Sequence, residues 1–195
     1  MKLAIEGNIG AGKSTIMKKF HTRNADYPVK LEPIEDWTKE ENLLQKLYES
    51  PKEYAFIFEL NCLIHFAEGL RTTSSRIQER SIHAVAHVFS KINLELDHIT
   101  AKQYKIIMEV YEELRQTECI DAMVYLKVDP STAYARMKNR NRREEAKISI
   151  DYIRRIDELY ESMIRNGDIG IPVMIMDGTL PEDILVEKLE RCIKD

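Results

Sequence analysis

Gly7-Asn8-Ile9-Gly10-Ala11-Gly12-Lys13-Ser14 sets three glycines ahead of a lysine and a hydroxyl. Glycines let a backbone curl until its N–H groups converge, and a helix starting just beyond adds the positive end of its dipole, so such a stretch cradles phosphate oxygens. Lys13 would reach the outer phosphates, Ser14 would offer its hydroxyl to Mg²⁺, and Thr15 would follow at the head of the helix. Two acids stand next to turn or charge partners further on, Glu32 before Pro33 and Glu79 before Arg80. Arg136, Arg140 and Arg142, followed by Glu144 and Glu145, form a third charged group. Poised carboxylates accept protons, and poised arginines stabilise charge spread over phosphoryl oxygens.

These residues need a scaffold that brings them to one edge. Apolar runs bounded by turns alternate with segments of helical period, the pattern of a parallel sheet wrapped by crossover helices. Strands are predicted over Lys2–Glu6, Val29–Glu32, Arg76–Glu79, Ala122–Val128 and Val173–Met176. The first leads into the glycine motif and a helix from Thr15 to Phe20 follows it, which is the context the motif requires. Ser50 with Glu53, Thr100 with Gln103, and Thr179 with Glu182 have capping-box spacing, which starts helices running to Glu68, to Arg115 and to the end of the chain. The spacing of four puts Arg136 and Arg140 on one helical face, with Arg142 just past it.

The 195 residues suit one compact domain, 1–195, about one core, and no repeat or composition break divides them. A net charge of -4 argues against a nucleic-acid or anionic-membrane face. No apolar run is long enough to span a bilayer, so a cytoplasmic protein is expected. Cys62, Cys119 and Cys192 are odd in number and far apart, and His21, His65, His83, His87 and His98 have no ligand spacing, so neither redox pair nor zinc site can be drawn. A guanine-reading Asn/Lys-x-Asp motif and an apolar strand ending in a metal-binding Asp are both missing.

Four strings in order then resemble the deoxynucleoside kinases: the glycine motif, Glu32-Pro33-Ile34-Glu35-Asp36-Trp37, Glu79-Arg80-Ser81-Ile82-His83, and the R-x-x-x-R-x-R-x-E-E segment from Arg136 to Glu145. The resemblance runs the length of the chain and is strongest to thymidine and broad-pyrimidine members. It implies an α/β P-loop fold in three α/β/α layers, with five parallel strands ordered 2-3-1-4-5 and an Arg-rich lid. It also implies ATP- and Mg²⁺-dependent 5′-phosphorylation of a deoxynucleoside by a homodimer built on the long helices after Ser50 and Ile82.

By the same resemblance Glu32 is the base, Arg80 the cation beside the 5′-oxygen, Glu79 the acid on the Mg²⁺ side, and Lys13, Arg140 and Arg142 the phosphate-stabilising cations. Arg136 and the Asp177-Gly178-Thr179 turn belong to the ATP side. Trp37, Phe58 and Phe89 would wall the nucleoside pocket, while Tyr48 and Glu145 would hold the 3′-hydroxyl. Taken singly these residues have plainer readings: a surface acid before a turn, a core Trp, a solvated pair, a solvated arginine face, a simple strand-to-helix turn.

Glu59 departs from the family, which has Gln there. A carboxylate only accepts hydrogen bonds, so ionised it suits the cytosine amino group, whereas protonated it can also donate to a thymine carbonyl. Thymidine is therefore expected to gain as pH falls, and Glu59→Gln to broaden selectivity by flipping its amide. The plain alternative has Glu59 facing solvent or a lysine. Val85 and Phe66 fall where purine-tolerant members keep a charged pair, which favours a pyrimidine. Thymidylate kinase is the nearest rival, but it carries an arginine before Glu-Pro where this chain has Leu31, and an Asp-Arg pair in place of Glu79-Arg80. A nucleotide-binding regulator is the other alternative, and it would have no reason to keep Glu32, Arg80 and the arginines.

Overall fold

The structure is a computed structural model that describes residues 1–39, 42–70, 75–117 and 120–193, the side chains of 68–70 excepted. Of the cysteines read from the sequence, Cys119 lies outside them. Its centre is a strand made of what water rejects: β1 (Lys2–Glu6) buries Leu3, Ala4 and Ile5 almost completely. β1 pairs in parallel with β3 (Arg76–Glu79) through Leu3 opposite Ile77, and with β4 (Ala122–Lys127) through Leu3 opposite Ala122. β2 (Val29–Lys30) and β5 (Val173–Asp177) complete five parallel strands in the order β2-β3-β1-β4-β5, the expected fold class. The order reverses at β1, so the crevice beyond its C-terminal end is where ligands of such sheets gather.

β2 ends two residues before the expected Glu32. Pro33 has no N–H to donate, and the Glu32 N–H is taken by the Glu79 side chain at 3.3 Å. The chain then makes two short helices, α2 (Ile34–Thr38) and α3 (Leu43–Glu49), and the long α4 (Pro51–Leu70). After β3 the expected helix from Ile82 is not continuous. It is built of α5 (Ile82–Ala84), a π-helical turn (Val85–Phe89) and α6 (Ser90–Glu95), and it stops where Asp97 adopts φ 54. The Thr100–Gln103 capping box forms as expected and opens α7 (Ala101–Arg115).

α8 (Pro130–Arg140) starts on Pro130, with the Asp129 carboxylate accepting from Ser131 and Thr132 N–H. α9 (Ile150–Asn166) is capped by Ser149 and stopped by Gly167 at φ 69. It buries Ile153, Ile156, Tyr160 and Met163, one helical stripe. α10 (Glu182–Cys192) corrects the third capping box: Pro181 is its N-cap, with no side-chain bond. Thr179 is held by Asp177 instead, through both its N–H (2.9 Å) and its hydroxyl (2.6 Å).

The buried apolar side chains gather in two main clusters. One cluster surrounds the sheet with α1 (Lys13–Arg23), α8, α9 and α10, and a second joins α2, α3 and α4 to α5 and α7. Tyr48 packs against both. Between them lie the charged residues of the site, which a continuous hydrocarbon core would not tolerate unpaired. No helix among the described residues is long and apolar enough to cross a membrane.

Candidate active site

The phosphate loop is fixed by backbone shapes only glycine adopts cheaply. Gly10, at φ 81, lies so close to α8 that a Cβ would stand 2.1 Å from the Ala133 carbonyl, and Gly12 at φ 101 turns the chain into α1. Asn8 ties the loop to α9 by donating to the Ile153 carbonyl at 2.8 Å, and its Oδ1 accepts from the Ile9 N–H at 2.9 Å. Ile9 and Ala11 are buried beneath the loop. Lys13 Nζ donates to the carbonyls of Gly7 (3.1 Å) and Asn8 (3.0 Å). Burial, followed by repulsion from Arg80, lowers its pKa to about 8; phosphate charge would raise it again. Thr15 lines the mouth of the cavity. Arg136 bridges the loop to the turn after β5, donating to Ala11 O (3.3 Å) and Gly178 O (3.1 Å). Asp177 shapes that turn by accepting from the Thr179 N–H and hydroxyl.

Where β2 and β3 end beside the start of α1, four predicted residues meet. Ser14 Oγ donates to Glu79 Oε1 at 2.8 Å, while Glu79 Oε2 takes the Glu32 N–H. Arg80 Nε donates to Glu32 Oε1 at 3.1 Å, and its Nη1 donates to Gly7 O (3.1 Å) and Tyr160 Oη (2.8 Å). The guanidinium also lies over the Phe89 ring, 4.6 Å from its centroid. Arg80 sits at φ 69, unusual for a side chain of its size. Burial alone would lower its pKa, but Tyr160, Glu32, Glu6 and Glu79 more than reverse this and hold it charged.

Glu6, wholly buried at the end of β1, accepts from Ser81 Oγ (2.7 Å) and Tyr160 Oη (2.8 Å) and stands 3.7 Å from Arg80. Burial raises its carboxyl pKa against the pull of Arg80, Ser81, Tyr160 and Lys13. Neither Glu6 nor Tyr160 was singled out from the sequence. An acid closing an otherwise apolar strand was the available signal for the first, and the helical stripe of α9 for the second.

The arginine segment leaves α8 through Asn141 at φ 54 and folds onto Glu145. Arg140 Nη2 contacts both oxygens of Glu145 at 2.7 Å, and Arg142 Nη1 donates to Oε1 at 2.9 Å. Thus the expected lid cations and the expected sugar acid come together. Burial first, then Tyr152 and Glu145, push the Tyr48 phenol well above its usual range, so it stays a hydrogen-bond donor.

Lys13, Ser14, Thr15, Glu32, Tyr48, Glu79, Arg80, Arg140, Arg142 and Glu145 border one cavity of about 930 Å³, while Arg136 and Asp177 lie outside its lining. Its inner wall is aromatic. Trp37 meets Phe58 edge-on at 5.1 Å and Phe66 at 6.1 Å, with its Nε1 donating to Asn61 at 3.2 Å. Val85 and Phe89 face the same space. Glu59 faces neither solvent nor a lysine: it is 2% exposed and accepts from Asn93 Nδ2 at 2.8 Å. Burial raises its pKa to about 8, with Asn93, Ser90 and Arg80 pulling the other way. Asn93 and Tyr152 also line the cavity and were not anticipated. Among the described residues no group of three or more His, Cys, Asp or Glu could hold a metal by itself. A hydroxyl and one carboxylate beside a phosphate cradle are nevertheless what Mg²⁺ takes from a protein, the remaining ligands being phosphate and water.

The profile of the family described as deoxynucleoside kinase matches residues 3–192. A putative kinase, protein 029R of Invertebrate iridescent virus 3, is 30% identical over 195 residues, covering 98% of this chain and 95% of the relative. The probable deoxycytidine kinase FPV151 of fowlpox virus is 30% identical over 187 residues, covering 91% of this chain and 78% of the relative. A deoxyadenosine kinase from M. mycoides, solved with the products dCMP and a flexible dCDP, superposes with a TM-score of 0.84 at 26% identity, covering 100% of this chain and 98% of the other. With the family profile matched over residues 3–192, this chain belongs to the deoxynucleoside kinase family.

Proposed function

We propose that the protein transfers the γ-phosphoryl group of ATP to the 5′-hydroxyl of a pyrimidine deoxynucleoside, with Mg²⁺. The observation that carries this reading is the junction of cradle and acid, in which Ser14, Glu79, Glu32 and Arg80 are linked by hydrogen bonds of 2.8, 3.3 and 3.1 Å. Glu32 keeps Oε1 on Arg80 and accepts the hydroxyl proton on Oε2 as attack proceeds. Ser14, with Glu79 acting through water, would hold Mg²⁺, which when bound offsets charge on the phosphates. Lys13, Arg80 and the two lid arginines stabilise the transferred group, for which Arg140 and Arg142 exchange Glu145 for phosphate. Glu145, released, pairs with Tyr48 on the 3′-hydroxyl. Arg136 and the Asp177 turn border the adenine side. The whole chain, 1–195, acts as one domain, since both apolar clusters wall the same cavity.

The test is a panel of four deoxynucleosides, their monophosphates and uridine, with ATP and Mg²⁺. Turnover of pyrimidine deoxynucleosides is expected. Turnover of monophosphates alone would make the protein a nucleotide kinase, and binding without any turnover a regulator.

At the base we assign Glu59 to the reading edge, stacked beside Phe58. Ser90, Asn93, Arg80, Tyr152 and Cys62 are the polar or titratable groups coupled to it. Since its pKa is raised to about 8, the acid form prevails below that pH and the carboxylate above. The acid donates and accepts like the family's amide, whereas the carboxylate opposes the thymine carbonyl yet still takes the cytosine amino hydrogen. The ratio of kcat/KM for thymidine to that for deoxycytidine therefore falls as pH rises through about 8, by roughly tenfold. Glu59→Gln flattens the dependence. A parent ratio that stays constant from pH 6 to 9.5 would remove Glu59 from base reading.

The homodimer expected on the helices after Ser50 and Ile82 is proposed on α4 and α7 instead, since the helix from Ile82 is broken and buries Ile82, Ala84 and Ile92. Ile57 and Ile64, seven residues apart on α4, are 56% and 53% exposed, and Ile106 on α7 is 36% exposed. Burying such a stripe against its copy removes it from water.

A further inference from the structure

Glu59 does not meet the cavity alone. Its Oε1 accepts from Asn93 Nδ2 at 2.8 Å, and Asn93 Oδ1 lies 2.9 Å from His98 Nδ1. All three side chains line the cavity. Two backbone features bring them together. The π-helical turn over Val85–Phe89 takes up an extra residue, so that Val85, Phe89 and Asn93, spaced by four, all face the same space. In an unbroken α-helix Asn93 would have rotated about 80° from Val85. Asp97, at φ 54, then turns the chain back, and the Asn93 carbonyl accepts the N–H groups of His98 (2.8 Å) and Ile99 (3.3 Å).

A primary amide has one accepting end and one donating end, and its neighbours decide which points where. Asn93 directs its NH₂ at Glu59, so its carbonyl meets His98, which satisfies it by donating from Nδ1. The Glu59 oxygen that accepts from Asn93 is then disfavoured as the site of the carboxyl proton, because a second hydrogen there would oppose the first. The proton belongs on Oε2. Without that constraint a carboxylic acid serves either pyrimidine by moving its proton from one oxygen to the other. Cytosine asks for an acceptor at its amino group and a donor at N3, and thymine asks for the reverse.

We propose that Asn93, oriented by His98, fixes which oxygen of Glu59 carries the proton, and so sets the order of acceptor and donor that the pocket offers to the base. Asn93 and His98 are thereby specificity-determining positioning residues, a role that rests on the reading of Glu59 as the base-reading group. It also revises what Glu59→Gln does: Asn93 holds the new amide in the same order, so selectivity keeps its direction and does not broaden.

The experiment measures kcat/KM for deoxycytidine and thymidine, and the KM for ATP, in the parent and in Asn93→Leu, His98→Phe, His98→Gln and Glu59→Leu. Asn93→Leu and His98→Phe are expected to move the nucleoside ratio about three- to tenfold toward one, the worth of a single hydrogen bond, with the ATP KM unchanged. His98→Gln, which restores a donor, keeps the parent ratio. His98 is only half-buried, so its variants serve as the test if Asn93→Leu does not fold. A ratio unchanged in Glu59→Leu overturns the base-reading role itself. A ratio that changes in Glu59→Leu but in neither Asn93→Leu nor His98→Phe overturns the present proposal and leaves that role standing.

Discussion

Replacing Arg80 with methionine abolishes most turnover, by a factor on the order of 10³ or more, and lowers stability by about 3–5 kcal/mol. The two losses have separate causes. The guanidinium is 5% exposed and serves Glu32, Gly7 and Tyr160 by hydrogen bonds and Glu6 by proximity at 3.7 Å. Methionine fills most of the volume and stacks on Phe89, but leaves the fully buried Glu6 without its ion-pair partner. Removing one partner of a buried ion pair costs far more than the pair contributes. Adding Glu6→Gln should therefore restore much of the melting temperature, since an amide keeps the Ser81 and Tyr160 contacts without a charge. It should not restore turnover, because the cation at the transferred group is still missing. Activity returning together with stability in the double variant would show that Arg80 only supports the fold.

Glu32→Gln lowers kcat by about 10²–10⁴, the span of general-base contributions, with little change in the KM for nucleoside. Its carbonyl can still accept from Arg80 Nε, now at 3.1 Å, and the Glu32 backbone keeps its bond to Glu79. That contact turns the amide NH₂ toward the incoming hydroxyl, a donor where an acceptor is needed. Steady-state rates with single-turnover traces would separate chemistry from product release. Parent-like single-turnover rates would end the assignment of Glu32 as base.

Much of the scaffold was written in local pattern. All five strand starts and the Thr100–Gln103 cap follow from burial period and capping chemistry, which are properties of neighbours in sequence. The phosphate loop is legible for the same reason, since all of its parts fall within eight residues. The breaks in the helix after Ile82 were not legible: Val85–Phe89 contains no glycine or proline, and the wide turn is imposed by what packs around it. Thr179 misled because Asp177, two residues earlier, competes for the same hydroxyl and N–H. Glu59 was recognised as odd, but its direction depended on Asn93, which is 34 residues away. Long-range polar partners leave no mark in spacing. The pull of burial against Arg80 on Glu59 likewise needed three dimensions to decide.

The sheet order also bears on how the chain is made. β1 carries the phosphate loop, yet its partners Ile77 and Ala122 lie 74 and 119 residues further along, since Leu3 pairs with both. At a synthesis rate of about 5–20 residues per second, β1 leaves the ribosome roughly 6–24 s before β4 can pair with it. For roughly the first 4–15 s of that interval, until β3 emerges, Leu3, Ala4 and Ile5 have no strand to pair with, so the nascent segment is a candidate for chaperone capture. The nucleotide cradle, first in the chain, is completed only when the middle of the protein has been translated.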